Sequence, residues 1–431
     1  MKFFQVGRCP VLGEASMRIE QRLAAGILLA VVVGVTVWLL VDSSRSRTTQ
    51  SSVRQFLDTH WQHPLAPQGD PPAEFTPVEA SLAPGDCGQC HTDQYRDWSS
   101  SLHHQTMGPG IQWQFDLMAP AEANRCLRCH APLAEQKALV ARSRDWPNAP
   151  AAPPPDYVPA DLAQQGLVCA ACHVRKHRRY GPPPGEERIQ SAETPHGGFE
   201  SATAFRDSLF CATCHQFPDD GPRLNGKLHE DTYAQWSAST HAREGRTCQS
   251  CHMPERRHLW RGVHDPALIR QALEVDLDVR RSGSGVAYVR ATLVNRGAGH
   301  HFPTYMVPKV TAILYLVAAH DHDPIELTRG VIGWHVDVQL TTERFDTRIP
   351  SGGQFSLEAP LELPADWTGW VELRLKVHPR EHYARVFRYM LGQGEQVPAS
   401  TQATIRSALS AAEGASFDIV MARQAVEAIA N

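Results

Sequence analysis

The sequence predicts an N-terminal transmembrane helix, a mainly helical and irregular domain, and an all-β, sandwich-like domain. Three observations predict these parts. A run of nineteen uncharged residues lies near the N-terminus, five copies of Cys-x-x-Cys-His fill the middle, and apolar residues alternate with polar ones further on. A chain of 431 residues is long enough for two or three domains.

The uncharged run extends from Leu23 to Val41, which is long enough to span a bilayer. Arg18 and Arg22 precede it, so the N-terminus should stay cytoplasmic and the remainder should be exported. Residues 1–42 could be an uncleaved anchor or a cleaved signal peptide. We therefore expect the protein at the bacterial cytoplasmic membrane, with its soluble part in the periplasm or outside.

Changes in composition predict the other domain boundaries. Residues 43–84 are polar and proline-rich, which indicates a tether. Residues 85–268 contain all five Cys-x-x-Cys-His motifs. The formal net charge of −4 gives no large basic field, so nucleic acid is not an expected partner.

The region 269–380 has the hydrophobic pattern of strands. "LEVDLDV" and "WVELRLKVH" alternate apolar and polar residues, and "VTAILYLVAA" is typical of a buried strand. Glycine and proline punctuate these runs, so we expect an antiparallel sandwich of about seven strands. The tail, 381–431, is predicted to be helical from "STQATIRSALSAA" and "FDIVMARQAVEAIA".

Ten of the eleven cysteines belong to the five motifs. Cys-x-x-Cys-His is the attachment sequence of haem c: the two thiols form thioethers with the porphyrin, and the histidine becomes the proximal iron ligand. The alternatives are disulfides, a zinc site or a redox dithiol, but none requires a histidine after every pair. We predict five covalently bound haem c groups. Their attachment residues are Cys87, Cys90, Cys126, Cys129, Cys169, Cys172, Cys211, Cys214, Cys248 and Cys251, and their proximal ligands are His91, His130, His173, His215 and His252.

A repeated segment suggests some of the sixth ligands. "HTDQYRDWSSSLH" begins at His91, and "HEDTYAQWSASTH" begins 138 residues later with seven of thirteen positions identical. Helical spacing would place the tyrosine, the tryptophan and the last histidine on one face, which makes His103 and His241 candidate distal ligands. In the alternative, the aromatic residues pack into a core and the histidine is incidental.

The same helix model separates His103 from the haem of His91. Twelve helical residues rise about 18 Å, so His103 should serve a different haem. The second copy lacks the cysteines, because Asn225 and Leu228 occupy their positions. We therefore expect His229 to be incidental.

Three further histidines stand out, each of which could instead be an ordinary loop residue. His196 lies in "TPHGGF" before the fourth motif. His264 lies in "LWRGVHDP" after the fifth, with His258 as its alternative. His301 and its neighbour His300 lie in "NRGAGHHFPT" of the β region. If that last site is a ligand, the sandwich caps one iron.

The stretches "CGQCHTDQYRDWSSSLHH", "CATCHQF" and "YAQWSASTHAREGRTCQSCHMP" resemble the multihaem cytochromes c grouped with the tetrahaem electron acceptor of hydroxylamine oxidoreductase. The resemblance covers about residues 85–265. It implies a mostly helical fold with closely stacked haem pairs, and distal-ligand roles for His103 and His241. This chain departs from that family in having five motifs and an added β-rich domain.

These patterns favour a membrane-tethered pentahaem cytochrome c that transfers electrons. Its expected partners are redox proteins, quinol-linked or periplasmic, and the membrane through the N-terminal helix. The alternative is an oxidoreductase that acts on a small nitrogen or sulfur compound at a five-coordinate haem. The two functions differ in whether one iron lacks a distal protein ligand.

Overall fold

The computed structural model describes residues 31–38, 50–184, 195–281, 286–320, 323–364 and 366–426. The chain divides into two compact units, residues 1–58 and 59–431. In the first unit, residues 31–38 and 50–58 are helical. Most of the predicted membrane span, Leu23 to Val41, lies outside the described residues. Among those that are described, no helix is both long enough and apolar enough to cross a membrane.

The second unit begins with a proline-rich segment that packs against the helical region. Leu65 and Leu82 are buried in one apolar cluster with Trp98 and Leu133. The backbone N–H of Gln68 donates to the buried Glu135 carboxylate at 2.7 Å. The prediction of a tether over 43–84 is therefore wrong for residues 59–84. Prolines keep this segment extended, but burial of its apolar side chains is more favourable in free energy than their exposure to water.

The helical region consists of short helices joined by turns and loops. Their bounds are α1 Pro77–Ala80, α2 Pro84–Gly88, α3 Thr92–Ser99, α4 Pro109–Phe115, α5 Pro120–His130, α6 Ala134–Ser143, α7 Cys169–His173, α8 Leu209–His215, α9 Thr232–Ser237, α10 Thr240–Arg243, α11 Cys248–His252 and α12 Pro266–Ala272. Short strands lie between some of them: β1 Val174–Arg175, β2 Arg178–Gly181, β3 Glu200–Ser201, β4 Arg223–Leu224 and β5 Lys227–Leu228.

Local sequence explains where several helices begin. Proline occupies the first turn of α1, α2, α4, α5 and α12, where its missing N–H is not needed. Thr76 caps α1 in a reciprocal pair with Glu79, and the Asp265 side chain caps α12. Four of the five Cys-x-x-Cys-His motifs end a helix at their histidine, in α5, α7, α8 and α11. In these four motifs the histidine is therefore the last residue of the helix.

The C-terminal region is a two-layer antiparallel sandwich, as predicted. The strands are β6 Leu273–Arg281, β7 Val286–Asn295, β8 Lys309–Ala318, β9 Ile325–Ile332, β10 Trp334–Val336, β11 Glu343–Asp346, β12 Gln354–Glu362, β13 Gly369–His378 and β14 Phe417–Val426. One sheet has the order β12-β7-β6 and the other β14-β13-β8-β9. Their facing side chains form one core that contains Leu293, Leu314 and Leu373. The pair β10-β11 lies outside both sheets.

The C-terminal tail is only partly helical. Helices α13 Glu381–Gly392 and α14 Ala399–Glu413 agree with the prediction. The prediction of a helix over "FDIVMARQAVEAIA" is wrong, because Phe417–Val426 is the edge strand β14, paired antiparallel with β13. The edge of β13 offers unpaired backbone groups, and pairing with them outweighs a weak helical preference.

An ion-pair cluster joins the sandwich to the helical region. The Lys227 ammonium of β5 lies 2.7 Å from Asp346 and 2.8 Å from Glu343, both on β11. The Trp334 indole N–H donates to Glu343 at 2.7 Å. These contacts hold the β4-β5 hairpin against the sandwich.

Candidate haem-binding sites

Backbone carbonyls orient three of the five motif histidines that are predicted to be proximal ligands. Nδ1 of His130 donates to the Thr106 carbonyl at 2.8 Å, Nδ1 of His173 to Tyr180 at 2.8 Å, and Nδ1 of His252 to Arg261 at 2.7 Å. A carbonyl only accepts, so Nδ1 carries the proton and the Nε2 lone pair is free for a metal. These three side chains therefore suit a proximal iron ligand.

Three of the proximal histidines face a second imidazole. The ring centres are 6.3 Å apart for His103 and His215, 6.2 Å for His173 and His258, and 6.2 Å for His252 and His300. An iron between two imidazoles, at about 2.0 Å from each nitrogen, would put the ring centres about 6 Å apart. The side chains present therefore fit a bis-histidine haem at each of these three motifs.

Each pair combines histidines from distant parts of the chain. His103 follows the first motif but faces the histidine of the fourth, and His258 follows the fifth motif but faces the histidine of the third. The sandwich contributes His300, which faces the fifth-motif histidine His252.

The structure distinguishes between neighbouring candidates. His258 rather than His264 faces His173, and His300 rather than His301 faces His252. His264 lies close to Gly262 on the turn that leads into α12. Burial lowers the pKa of His301, and the positive charge of Arg348 lowers it further. Sequence position alone does not separate members of such a pair.

Two further candidates have features of ligands. His241 is buried, and within the described residues neither of its ring nitrogens has a hydrogen-bond partner. Such a group costs free energy unless something binds it. His196 donates from Nδ1 to the Gly198 carbonyl at 2.8 Å, which leaves Nε2 free. Within the described residues, neither faces another histidine ring as the three pairs do. His229 lies beside Trp334, with ring centres 6.4 Å apart.

Burial keeps several of these imidazoles neutral. It lowers the pKa of His103 to about 3, and that of His173 and His300 to about 4. Coordination of a metal requires a neutral imidazole. The surroundings therefore favour the protonation state that an iron ligand needs.

The repeated segment has the same local structure twice, but it is not one continuous helix. The helices end at Ser99 and Ser237. Next, the Ser101 hydroxyl donates to the Trp98 carbonyl at 2.7 Å, and the Ser239 hydroxyl donates to the Trp236 carbonyl at 2.6 Å. The prediction of a single helix is therefore wrong, since these hydroxyls bind carbonyls that helix continuation would use.

Contacts between cysteines show which motifs are neighbours. None of the ten described cysteines forms a disulfide. Three thiol pairs from different motifs lie close enough to shift each other's pKa: Cys87 with Cys169, Cys129 with Cys214, and Cys211 with Cys248. In a protein with attached haem these sulfurs would be thioethers. The pairs therefore indicate that motif one adjoins three, two adjoins four, and four adjoins five.

Residues 86–148 match the family of cytochrome c554 and c-prime. The fold is similar to that of a penta-haem cytochrome c552 from Thermochromatium tepidum, with a TM-score of 0.52 and 17% identity, over 81% of this chain and 100% of that one. No curated protein is significantly similar in sequence.

Another solved structure, the β-glucosidase DesR from Streptomyces venezuelae in complex with D-glucose, has a TM-score of 0.13 and carries no argument. Its match covers 25% of this chain and 13% of that one at 12% identity. The family match and the similarity to the penta-haem protein together support a multihaem cytochrome c with covalently bound haem.

Proposed function

We propose that the protein is a pentahaem cytochrome c that passes electrons along a chain of haems. The observation that carries the proposal is the spacing of 6.2–6.3 Å between opposed imidazole rings at three motifs. A haem with two histidine ligands supplies low-potential, one-electron transfer with little rearrangement. In each pair, two different segments of the chain bring their imidazole rings to this separation.

The motif contacts support an order for the haem sites. The cysteine pairs connect motif one to three, two to four and four to five. The ring pair of His103 with His215 connects the segment after motif one to motif four. Motif four is thus the point where three connections meet, and we propose that its haem is the branch point of the chain.

The number of haems is the first test. Mass spectrometry of the mature protein should show five covalent haems, one at each motif. Four or fewer on correctly matured protein would contradict one of the attachment sites. Spectra of the ferric protein should be dominated by low-spin haem.

We further propose that the protein is exported and tethered to the cytoplasmic membrane by residues 1–42, and that it exchanges electrons with quinol-linked or periplasmic redox proteins. The uncharged run from Leu23 to Val41 and the arginines before it support this proposal. Protease added to spheroplasts should release a haem-containing fragment that begins after Val41. Full solubility without detergent after native expression would instead indicate a cleaved signal peptide.

A second candidate function, reaction of a small nitrogen or sulfur compound at an open haem, is favoured by the surroundings of His130. Within the described residues, no second imidazole faces His130 as in the three pairs. Arg380 donates to the Gln105 side chain at 3.0 Å, so the start of α13 adjoins Thr106, the residue that binds His130. One turn on, Tyr383 is enclosed enough that burial raises its pKa, yet it is 44% exposed.

This candidate has its own test. A high-spin ferric signal that cyanide converts to low spin would identify an open haem. Tyr383→Phe should change the cyanide affinity if the hydroxyl faces the ligand. A wholly low-spin spectrum that is insensitive to cyanide would leave electron transfer as the function.

A further inference from the structure

The residue before each tryptophan of the repeat binds the backbone of a distant segment. Asp97 and Gln235 occupy the same position in the two copies, 138 residues apart, but differ in chemical type. In both copies the side-chain oxygen accepts a backbone N–H from a distant segment. Asp97 accepts from His258 at 3.0 Å, and Gln235 accepts from His301 at 3.1 Å. Each of those segments holds an imidazole that faces a proximal histidine.

Asp97 anchors its segment at three points. It is buried at 3% exposure. One carboxylate oxygen accepts from Nε of Arg257 and the other from Nη2, both at 2.6 Å, in addition to the His258 backbone N–H. Such a bidentate pair fixes orientation as well as distance. It therefore determines where the backbone of His258, and with it the ring that faces His173, can lie.

Gln235 anchors the loop of the sandwich that holds His300. The loop is also internally braced, because the Asn295 side chain donates to the His300 carbonyl at 2.8 Å and accepts from the Ala298 N–H at 3.1 Å. Gly299 lies directly against the repeat: a Cβ there would be 2.9 Å from Cδ1 of Trp236 and 3.1 Å from Cβ of His241. These close contacts fix the position of the loop against α9, and the hydrogen bond to Gln235 stabilises it in that position.

The surroundings of the two anchors are equivalent. The indole N–H of Trp98 donates to Leu167 at 2.8 Å, and that of Trp236 donates to Arg246 at 2.9 Å. Both acceptors lie two residues before a motif, the third and the fifth. The first cysteines of motifs one and three are in contact, as are those of motifs four and five. The chain thus contains two copies of one haem-pair unit.

We propose that Asp97 and Gln235 are positioning residues for the distal ligands of the third and fifth haems, His258 and His300. The proposal rests on the proposed bis-histidine ligation and adds the residues that enforce it. In each unit, the helix of the repeat holds a ligand-bearing segment from later in the chain. This explains why the helix is kept in a copy that has lost its cysteines.

The test uses the full, haem-loaded protein and its electron paramagnetic resonance spectrum. Asp97→Leu and Gln235→Leu remove the acceptor at similar volume, and each should convert one low-spin haem to high spin, a different one in each variant. Gln235→Glu keeps the acceptor oxygen and should retain the wild-type spectrum. Asp93→Asn, on the exposed side of the same helix as Asp97, is the control for loss of charge and should also leave the spectrum unchanged.

Alanine variants of the proposed distal ligands test the ligation separately from the positioning role. His258→Ala and His300→Ala should each open the same haem as the corresponding leucine variant. If they open a haem and the leucine variants leave the spectrum unchanged, the positioning role is overturned while ligation stands. If neither alanine variant opens a haem, the ligation is wrong and the positioning role falls with it. Should Asp97→Leu fail to mature, Asp97→Ala decides, since it also removes the acceptor: a high-spin signal supports the proposal, and an unchanged spectrum overturns it.

Discussion

The sandwich and the haem-binding region differ in what fills their interiors. In the sandwich, one apolar core joins both sheets, and Leu314, Leu373 and Leu375 within it have no exposed surface. In the haem-binding region, apolar residues form separate clusters, one around Leu82 and another around Leu127. Within the described part of this region, several buried imidazole nitrogens have no hydrogen-bond partner, among them Nδ1 of His103 and both ring nitrogens of His241.

The difference indicates two sources of stability. The sandwich buries its side chains against one another, so hydrophobic burial within the chain is sufficient. Helices of four to eleven residues, such as α1 and α5, do not persist alone. A buried imidazole without a partner is unfavourable until a metal binds it. The haem-binding region should therefore depend on its cofactors, and the sandwich should not.

The largest effect is expected from preventing haem attachment. Chain produced without the attachment machinery should lose protection from hydrogen exchange throughout α2–α11, because short helices and partnerless imidazoles then lack their partners. Strands β7, β8 and β13 should stay protected, as hydrogen–deuterium exchange mass spectrometry would show. Similar loss of protection in both regions would contradict the comparison.

A side-chain truncation in the core tests whether hydrophobic burial stabilises the sandwich. Leu373→Ala should lower the free energy of unfolding by about 2–5 kcal/mol, because Leu373 is fully buried and the cavity cannot refill completely. Denaturant unfolding followed by tryptophan fluorescence measures this. Ile325→Ala, at a position 64% exposed, is the control and should cost less than about 0.5 kcal/mol. Equal losses of unfolding free energy in the two variants would mean that the core does not determine the stability of the sandwich.

Loss of a single ligand should alter one haem rather than a region. His103→Ala and His241→Ala should each produce a high-spin signal, from different haems, while the number of attached haems is unchanged because the cysteines are intact. Absorption and electron paramagnetic resonance spectra measure this. His229→Ala should leave the spectrum alone. If His229→Ala opens a haem and His241→Ala does not, the ligand lies at the other end of the repeat.

The smallest expected effect is a dependence on pH. Hydrogen bonds from Arg257 hold the pKa of the Asp97 carboxyl below its usual range. A lowered native pKa means that the carboxylate stabilises the fold above about pH 4, and that this contribution is lost as the pH falls through the native value. Wild type and Asp97→Asn should therefore differ most in free energy of unfolding near neutral pH and converge as the pH falls below about 4. A constant difference would show that charge is not the cause.

The sequence by itself determined the features that depend on a few adjacent residues. Cys-x-x-Cys-His specifies an attachment site locally, and strict alternation in "WVELRLKVH" specifies a strand that buries one face. Helix α14 also follows from its own residues.

Tertiary structure decided which of two neighbouring histidines lies opposite a motif histidine. His258 is chosen over His264, and His300 over His301, because Asp97, Gln235 and Asn295 fix the backbone of those segments from elsewhere in the chain. Strand β14 likewise forms because β13 presents an open edge. Short-range patterns carry no information about such contacts, since their free energy comes from groups that only the folded chain brings together.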